Sequence, residues 1–339
     1  MAVDDDGAAV TLRAMVLHSP GTPLSERLGP LPAPGAGELL LKVSACGVCR
    51  TDLHVVDGEL PSTGRPVVPG HEVVARVQAV GDGVAGFGVG QRVGVPWLGG
   101  TCGACAYCRT GRENLCDAPV FTGWTRDGGF ATHLRADARY VFDLEGLPLD
   151  DVHAAPLMCA GLIGWRALRF AGDAAVLGLY GFGAAAHLIV QVAVAQGRRV
   201  FAFTRPGDAA AQALARRLGA EWAGGSDEDP PAPMDAALLF APVGALVPAS
   251  LARLRKGGRV VCAGIHMSDI PSFRYALLWG EREIVSVANL TRADGDGFLA
   301  WARHSPLQVE ATSFPLREAN EALRRLRHGE LVGAAVLVP

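Results

Sequence analysis

Four cysteines fall in the short segment CGACAYCRTGRENLC, spaced as Cys102-x2-Cys105-x2-Cys108-x7-Cys116. Thiolates so closely spaced can converge on one tetrahedral zinc ion, and a closed set of four sulfurs leaves no position for chemistry. The segment therefore reads as a loop folded around a structural metal. An iron–sulfur cluster draws on the same ligand type, but the residues described below favour zinc. Unliganded buried cysteines would not be expected to crowd into one glycine-containing stretch. The N-terminal residues argue the same way: Met1 to Gly7 carry three aspartates where a secretory signal would carry basic residues. Eight cysteines in a chain of 339 residues without an export signal point to metal binding or thiolate chemistry rather than a disulfide scaffold. A cytoplasmic protein is expected.

A chain of this length exceeds the usual limit of one hydrophobic core, so two domains are expected. The net charge of −3 is spread over both signs and offers no footprint for nucleic acid or an anionic membrane surface. The apolar stretch from Gly181 to Ala195 is interrupted by Gly, His and Gln and falls short of the roughly 20 residues that span a bilayer. A small-molecule partner is the remaining expectation.

From residue 8 to about 155, short apolar runs such as Leu39, Leu41 and Val43, then Val73 to Val80, then Arg92 to Val95, are broken by glycine and proline. That pattern predicts an irregular, strand-rich domain. From about 172 to 290 the pattern becomes strand, helix, strand, helix. The strands are expected at Ala174 to Tyr180, Arg199 to Phe203, Asp235 to Phe240, Arg259 to Cys262 and Ile284 to Ala288. Such alternation builds an α/β fold with a doubly wound parallel sheet covered on both faces. The tail, with an amphipathic segment at Leu316 to Arg327 and a strand at Ala334 to Val338, is too small to fold alone and is expected to complete the first domain. The low-complexity piece Gly224 to Pro233 reads as a loop.

Outside the four-cysteine loop, residues 46 to 54 read CGVCRTDLH, residues 69 to 72 PGHE and residues 156 to 161 PLMCAG. Cys49, His71 and Cys159 together offer two thiolates and one imidazole, three ligands that leave zinc a fourth position for water or substrate. The order CRTDLH, GHE, four-cysteine loop, CAG resembles the zinc-containing alcohol dehydrogenases of the medium-chain dehydrogenase/reductase family over essentially the whole chain. The resemblance implies a GroES-like catalytic domain, 1–157 with 293–339, and a Rossmann dinucleotide-binding domain, 158–292. It also implies two zinc ions per chain and a homo-oligomer, dimer or tetramer.

Roles follow residue by residue from that resemblance. Asp52 would accept the second ring N–H of His71 and fix its tautomer. Glu72 would sit behind the zinc. Thr51 would hydrogen-bond the substrate oxygen and pass its proton through the coenzyme ribose to His54, which would face solvent. Cys46 is expected to be a small buried residue and Cys262 core. His18, His133, His153, His187, His266, His304 and His328 have no motif around them and receive no role.

After the first predicted strand of the second domain, Gly181-Phe-Gly183-Ala184-Ala-Ala186 opens an apolar helix. The two glycines suit a tight turn beside a pyrophosphate, and Ala186 is small enough for strand–helix contact. Arg50 and Arg292 resemble family residues that hold the coenzyme phosphates. At the end of the second strand an NAD-selective site usually carries Asp or Glu, whereas this chain has Thr204 and Arg205, so NADP is favoured over NAD. Trp97, Trp124 and Met158 are the expected walls of the substrate pocket. Two indoles would narrow it and favour small, unbranched primary alcohols and their aldehydes. The alternatives are a polyol or aromatic-aldehyde reductase of the same family, or an inactive dinucleotide-binding regulator, which would require a missing ligand.

Overall fold

A computed structural model describes residues 11–339. They form two compact units. One runs to Cys159 and takes up Thr291–Pro306 and Glu310–Pro339; the other comprises Ala160–Leu290 with Leu307–Val309.

In the first unit a seven-stranded sheet runs in the order Ala311–Pro315, Ala334–Val338, Glu38–Val48, Glu72–Val80, Arg92–Val95, Phe142–Asp143, and His133–Asp137 also pairs with Glu38–Val48. The strands Glu38–Val48 and Glu72–Val80 are antiparallel, in a register that sets Cys46 opposite Val73 and Gly47 opposite Glu72. That register brings Cys49 and His71, just beyond the paired ends, to the same place. The close approach depends on Gly47, where a Cβ would stand 1.9 Å from a Glu72 carboxylate oxygen. Leu39, Leu41, Val73, Ala75 and Val93 are fully buried in the core that this sheet covers. The C-terminal strand Ala334–Val338 is parallel to Ala311–Pro315 and antiparallel to Glu38–Val48.

A separate hairpin pairs Thr11–Val16 with Ser25–Pro30, where no individual strand was expected. Its second strand, SERLGP, is almost wholly exposed and lacks the apolar alternation by which a half-buried strand is recognised.

The second unit is built on six parallel strands in the order Trp222–Gly225, Arg199–Thr204, Val176–Tyr180, Met234–Leu239, Leu254–Cys262, Glu283–Ser286. The first in sequence, VLGLY, is buried throughout, as a parallel strand covered on both faces must be. Sequence neighbours depart in opposite directions from it, which opens a crevice at its C-terminal end where ligands of such sheets bind. The α/β class with a doubly wound parallel sheet is therefore as expected. One correction is local: Gly224 and Gly225 belong to the edge strand Trp222–Gly225, so only the residues after them form the loop. No helix among the described residues is long and apolar enough to cross a membrane.

Candidate metal centres and coenzyme cradle

The helix Arg50–Asp57 starts at Cys49, whose sulfur accepts the Thr51 N–H at 3.3 Å while Asp52 Oδ2 accepts the Cys49 N–H at 2.9 Å. This reciprocal cap fixes Cys49 at the positive end of the helix, a setting that favours a thiolate. Asp52, fully buried, has a second task. Its Oδ1 accepts the Gly70 N–H at 3.1 Å and lies 3.1 Å from His71 Nδ1, so the Nδ1 proton is donated to the carboxylate and Nε2 is left as a ligand. Nε2 in turn stands 3.1 Å from Cys49 Sγ. Gly70 has φ +99°, and a Cβ there would meet a Phe130 ring carbon at 2.4 Å, which explains the glycine ahead of the ligand histidine.

Cys49, His71, Glu72 and Cys159 each bring one donor atom into a cluster in which all four lie within 4.8 Å of one another. Glu72, expected behind the metal, thus reaches into the donor set itself. These four groups are electrostatically unfavourable neighbours. The hydrogen bond to Cys159 and burial push the Cys49 thiol well up, and burial and the charge of Cys49 push the Glu72 carboxyl well up. Burial opposes protonation of His71, but the charges of Asp52 and Cys49 outweigh it and hold the imidazole above its ordinary range. Glu72 Oε1 is buried with no hydrogen-bond partner among the described residues. Crowded acidic groups that burial keeps from ionising, one with an orphaned carboxyl oxygen, are an environment that a divalent cation relieves by taking the place of their protons, and two thiolates with one imidazole suit zinc.

The second cluster is Cys102, Cys105, Cys108 and Cys116. Neighbouring sulfurs are 3.4 Å (Cys116 to Cys102) and 3.5 Å (Cys105 to Cys108) apart, and backbone N–H groups point at them. Cys102 accepts from Ala104 and Cys105, which lowers its thiol pKa; the backbone of Cys108 is the main cause of Cys105 falling to about 6. Cys116, desolvated by burial, rises to about 11. The loop thus favours the thiolate at Cys102 and Cys105, with no substrate group among its four sulfurs.

One expectation changes, and a second residue has a partner that was not foreseen. His54 does not face solvent: it is 6% exposed and its Nδ1 is bonded to Glu59, whose side chain is 43% exposed. The helix turns its ring inward with Leu53, Val55 and Val56, and the polar link outward is Glu59, a residue with no motif to reveal it. Arg292, expected at the coenzyme phosphates, gives its backbone N–H to Glu113 Oε1 at 2.9 Å, places Nε 3.4 Å from the same oxygen, and lies over the Tyr140 ring. Glu113 is buried inside the four-cysteine loop, so this pair ties the loop to the helix Arg292–Ala302. An acid between the third and fourth cysteines was the available signal for it.

Trp97 is 5% exposed and packs edge-on against His71 with centroids 4.9 Å apart. Phe121 and Trp124 stack on it at 5.1 and 5.8 Å, which makes a flat aromatic wall; Phe121 was not anticipated. Met158 is fully buried and close to Gly94, where a Cβ would meet its sulfur at 2.2 Å.

In the second unit Gly181 has φ +87° and passes Ala241 so closely that a Cβ would stand 2.7 Å from its backbone nitrogen. Gly183 is the N-cap of the helix Ala184–Ala195 with open space at its Cβ position, and Ala186 is fully buried against the sheet. A helix N-terminus with free N–H groups behind a glycine turn is a site for a pyrophosphate. Thr204 is buried; its hydroxyl is 2.9 Å from the Arg205 carbonyl and accepts from Gln212 at 3.1 Å. The Arg205 side chain is 79% exposed, with Asp208 3.7 Å away. Arg50 is exposed at the first position of its helix.

Residues 35–146 match the model of the alcohol dehydrogenase GroES-like domain. The chain is 45% identical to a probable alcohol dehydrogenase, AdhA, of Mycobacterium tuberculosis, over 97% of each chain. Among solved structures it is similar to a cinnamyl alcohol dehydrogenase of Sorghum bicolor, with a TM-score of 0.87 at 28% identity over 97% of this chain and 98% of that one. It is also similar to a putative zinc-binding dehydrogenase of Sinorhizobium meliloti bound to NADP, with a TM-score of 0.84 at 26% identity over 97% and 100%.

Proposed function

Because the chain belongs to the zinc-dependent alcohol dehydrogenases of the medium-chain dehydrogenase/reductase family, we propose that it interconverts primary alcohols and aldehydes at the cluster Cys49, His71, Glu72, Cys159. The carrying observation is the convergence of those four donors around a histidine whose other nitrogen is held by Asp52. When bound, zinc supplies a Lewis acid that lowers the pKa of an alcohol, and a nicotinamide coenzyme supplies the hydride acceptor or donor.

The chain's own residues do the rest. Cys49, His71 and Cys159 hold the metal, and Glu72 completes the set when no substrate is present. Thr51, partly exposed beside Cys49, orients the alcohol hydroxyl and receives its proton. His54 takes the proton on, and Glu59 delivers it to water. Trp97 keeps water from one side of His71. Gly181, Gly183 and the N–H groups of Ala184 onward hold the coenzyme pyrophosphate, with Arg50 as a further phosphate contact. The four-cysteine loop holds a second, structural zinc. The assembly is a homo-oligomer joined through the coenzyme unit, whose edge strand Glu283–Ser286 lies near the exposed Tyr275 and Trp279 in sequence; a monomeric molar mass by light scattering would rule it out.

If Thr51 and His54 carry the proton, His54→Gln slows alcohol oxidation most at low pH, where hydroxide and buffer base are scarce. Coenzyme affinity stays the same and small added bases restore part of the rate. A mutant with the wild-type pH–rate profile would remove His54 from the reaction.

The coenzyme is NADP(H). Thr204 presents no carboxylate to repel a 2′-phosphate, and the exposed Arg205 guanidinium is free to swing from Asp208 onto that phosphate. One charge-assisted hydrogen bond at an exposed site makes the preference about tenfold. Arg205→Ala and Thr204→Asp both move the ratio of specificity constants towards NAD. A wild type that already prefers NAD, or a ratio that neither change moves, would contradict this choice.

A second reading is favoured by the stack Trp97, Phe121, Trp124, a flat wall suited to planar substrates, and by the cinnamyl alcohol dehydrogenase among the similar structures. A panel of unbranched alcohols and aromatic alcohols, with their aldehydes and both coenzymes, decides between them. Higher kcat/KM for butanol than for benzyl or cinnamyl alcohol supports the first reading, and the reverse order the second. No turnover with any of them would refute both.

A further inference from the structure

A cavity of about 490 Å³ opens in the first unit among the hairpin Thr11–Val16 with Ser25–Pro30, the strand His133–Asp137 and residues 126–128. The alcohol chemistry makes no use of it. Its apolar lining includes Leu12, Val68 and Leu134, and its charged lining is dominated by Arg27, Arg65, Arg126 and Arg135. Two carboxylates face these four cations. Asp127 is 3.9 Å from Arg27 and 3.6 Å from Arg65, while Glu38 is 3.1 Å from Arg126 and 3.7 Å from Arg135. Positive charge is left over, on side chains of which Arg27, Arg65 and Arg135 are about half exposed.

His133 lines the same cavity, is 5% exposed, and its Nε2 has no hydrogen-bond partner among the described residues. Its tautomer follows from its neighbour. Thr132 Oγ1 accepts the Arg13 N–H at 3.0 Å and has one proton to give, for which His133 Nδ1 at 3.0 Å is a better acceptor than the Arg13 carbonyl at 3.5 Å. Nδ1 therefore accepts, and the ring proton sits on Nε2 as an unspent donor. Burial and the charge of Lys42 lower the pKa of this histidine to about 4, so the ring is neutral at pH 7.

A buried donor without a partner is costly, and surplus guanidinium groups around an apolar floor match an amphiphilic anion. We propose that this cavity binds a small organic anion, a carboxylate or phosphate monoester on a short apolar body, held by Arg27, Arg65 and Arg135 with His133 Nε2 donating. The wall is continuous with the metal centre: Asp127 Oδ1 accepts the Val68 N–H at 3.1 Å, and Gly128 and Gly129 donate to the carbonyls of Val68 and Gly70, next to His71.

Calorimetric titration of the metal- and coenzyme-loaded protein with benzoate, phenyl phosphate and neutral benzamide tests the site. At least one of the two anions binds, benzamide does not, and affinity falls with added salt. Arg27→Gln with Arg135→Gln, and separately His133→Phe, each weaken the anion about tenfold or more. Thr51→Ala, which alters the metal centre, leaves the anion's affinity unchanged. The proposal is overturned if neither anion binds, if benzamide binds as well, or if affinity follows Thr51 and ignores the cavity variants. Comparison of benzoate with phenyl phosphate identifies the preferred head group.

Discussion

Replacing Cys49 by serine is expected to lower alcohol turnover by at least about a thousandfold, because metal polarisation of a reacting oxygen is worth several kcal/mol and each 1.4 kcal/mol is tenfold in rate. Serine is chosen because Cys49 has two jobs. It is the N-cap of the helix Arg50–Asp57 as well as a donor to the buried cluster. A serine hydroxyl is a better cap than a thiol side chain but a poorer ligand for zinc, so the variant separates the tasks. The melting temperature should stay close to that of the wild type, while zinc content falls by one ion per chain. A variant that keeps most of its activity would remove Cys49 from the reaction. One that unfolds would show the cap and the cluster to be inseparable.

The opposite pattern is expected for Cys105→Ser. Its cluster is closed, its sulfurs receive backbone N–H groups, and its loop is anchored by Glu113 to Arg292. Binding of a structural metal is coupled to folding, so losing it should lower the melting temperature by about 5–10 °C. Cleavage by a protease should appear first between Thr101 and Ala118. The kcat at 25 °C, per zinc ion retained, should remain within a factor of a few of the wild type. Acidification adds an independent check: protons compete with the metal for the four thiolates, so zinc is released from this loop as pH falls. An unchanged melting curve, or a complete loss of turnover in protein that is still folded, would contradict a purely structural role.

The contrast between the two clusters lies in their surroundings more than in their ligands. Cys102 and Cys105 are exposed or half-exposed and are stabilised as thiolates by peptide N–H groups. Cys49, Glu72 and Cys159 are crowded in the interior, where each group raises the cost of charging the next. A cation in the first setting fastens a loop. In the second it balances buried charge that a bound alcohol can share, which is the setting that chemistry requires.

Much of this was legible in the chain because spacing along a sequence survives folding. The four cysteines are local, and so is the pair Cys49 and Asp52 on one turn of helix. The parallel sheet announced itself through apolar runs such as VLGLY, buried on both faces. What could not be read depended on partners distant in sequence or on exposed elements. The strand Ser25–Pro30 is polar and pairs only because Thr11–Val16 lies beside it. His54 was expected in solvent because its motif says nothing about Leu53, Val55 and Val56, which turn the ring inward, or about Glu59, to which its Nδ1 is bonded. Arg292 has a partner that its position in the sequence does not reveal: its Nε lies 3.4 Å from Glu113, far away in sequence. His133 carried no motif at all. Its interest arises only where the hairpin, the strand and four arginines meet.

The measurement that bears most directly on the account is the zinc content of active wild-type protein, set beside that of Cys49→Ser and Cys105→Ser. Two ions per chain are predicted, with each variant losing a different one: the first loses turnover and keeps stability, the second loses stability and keeps turnover. A single zinc ion per fully active wild-type chain would contradict it.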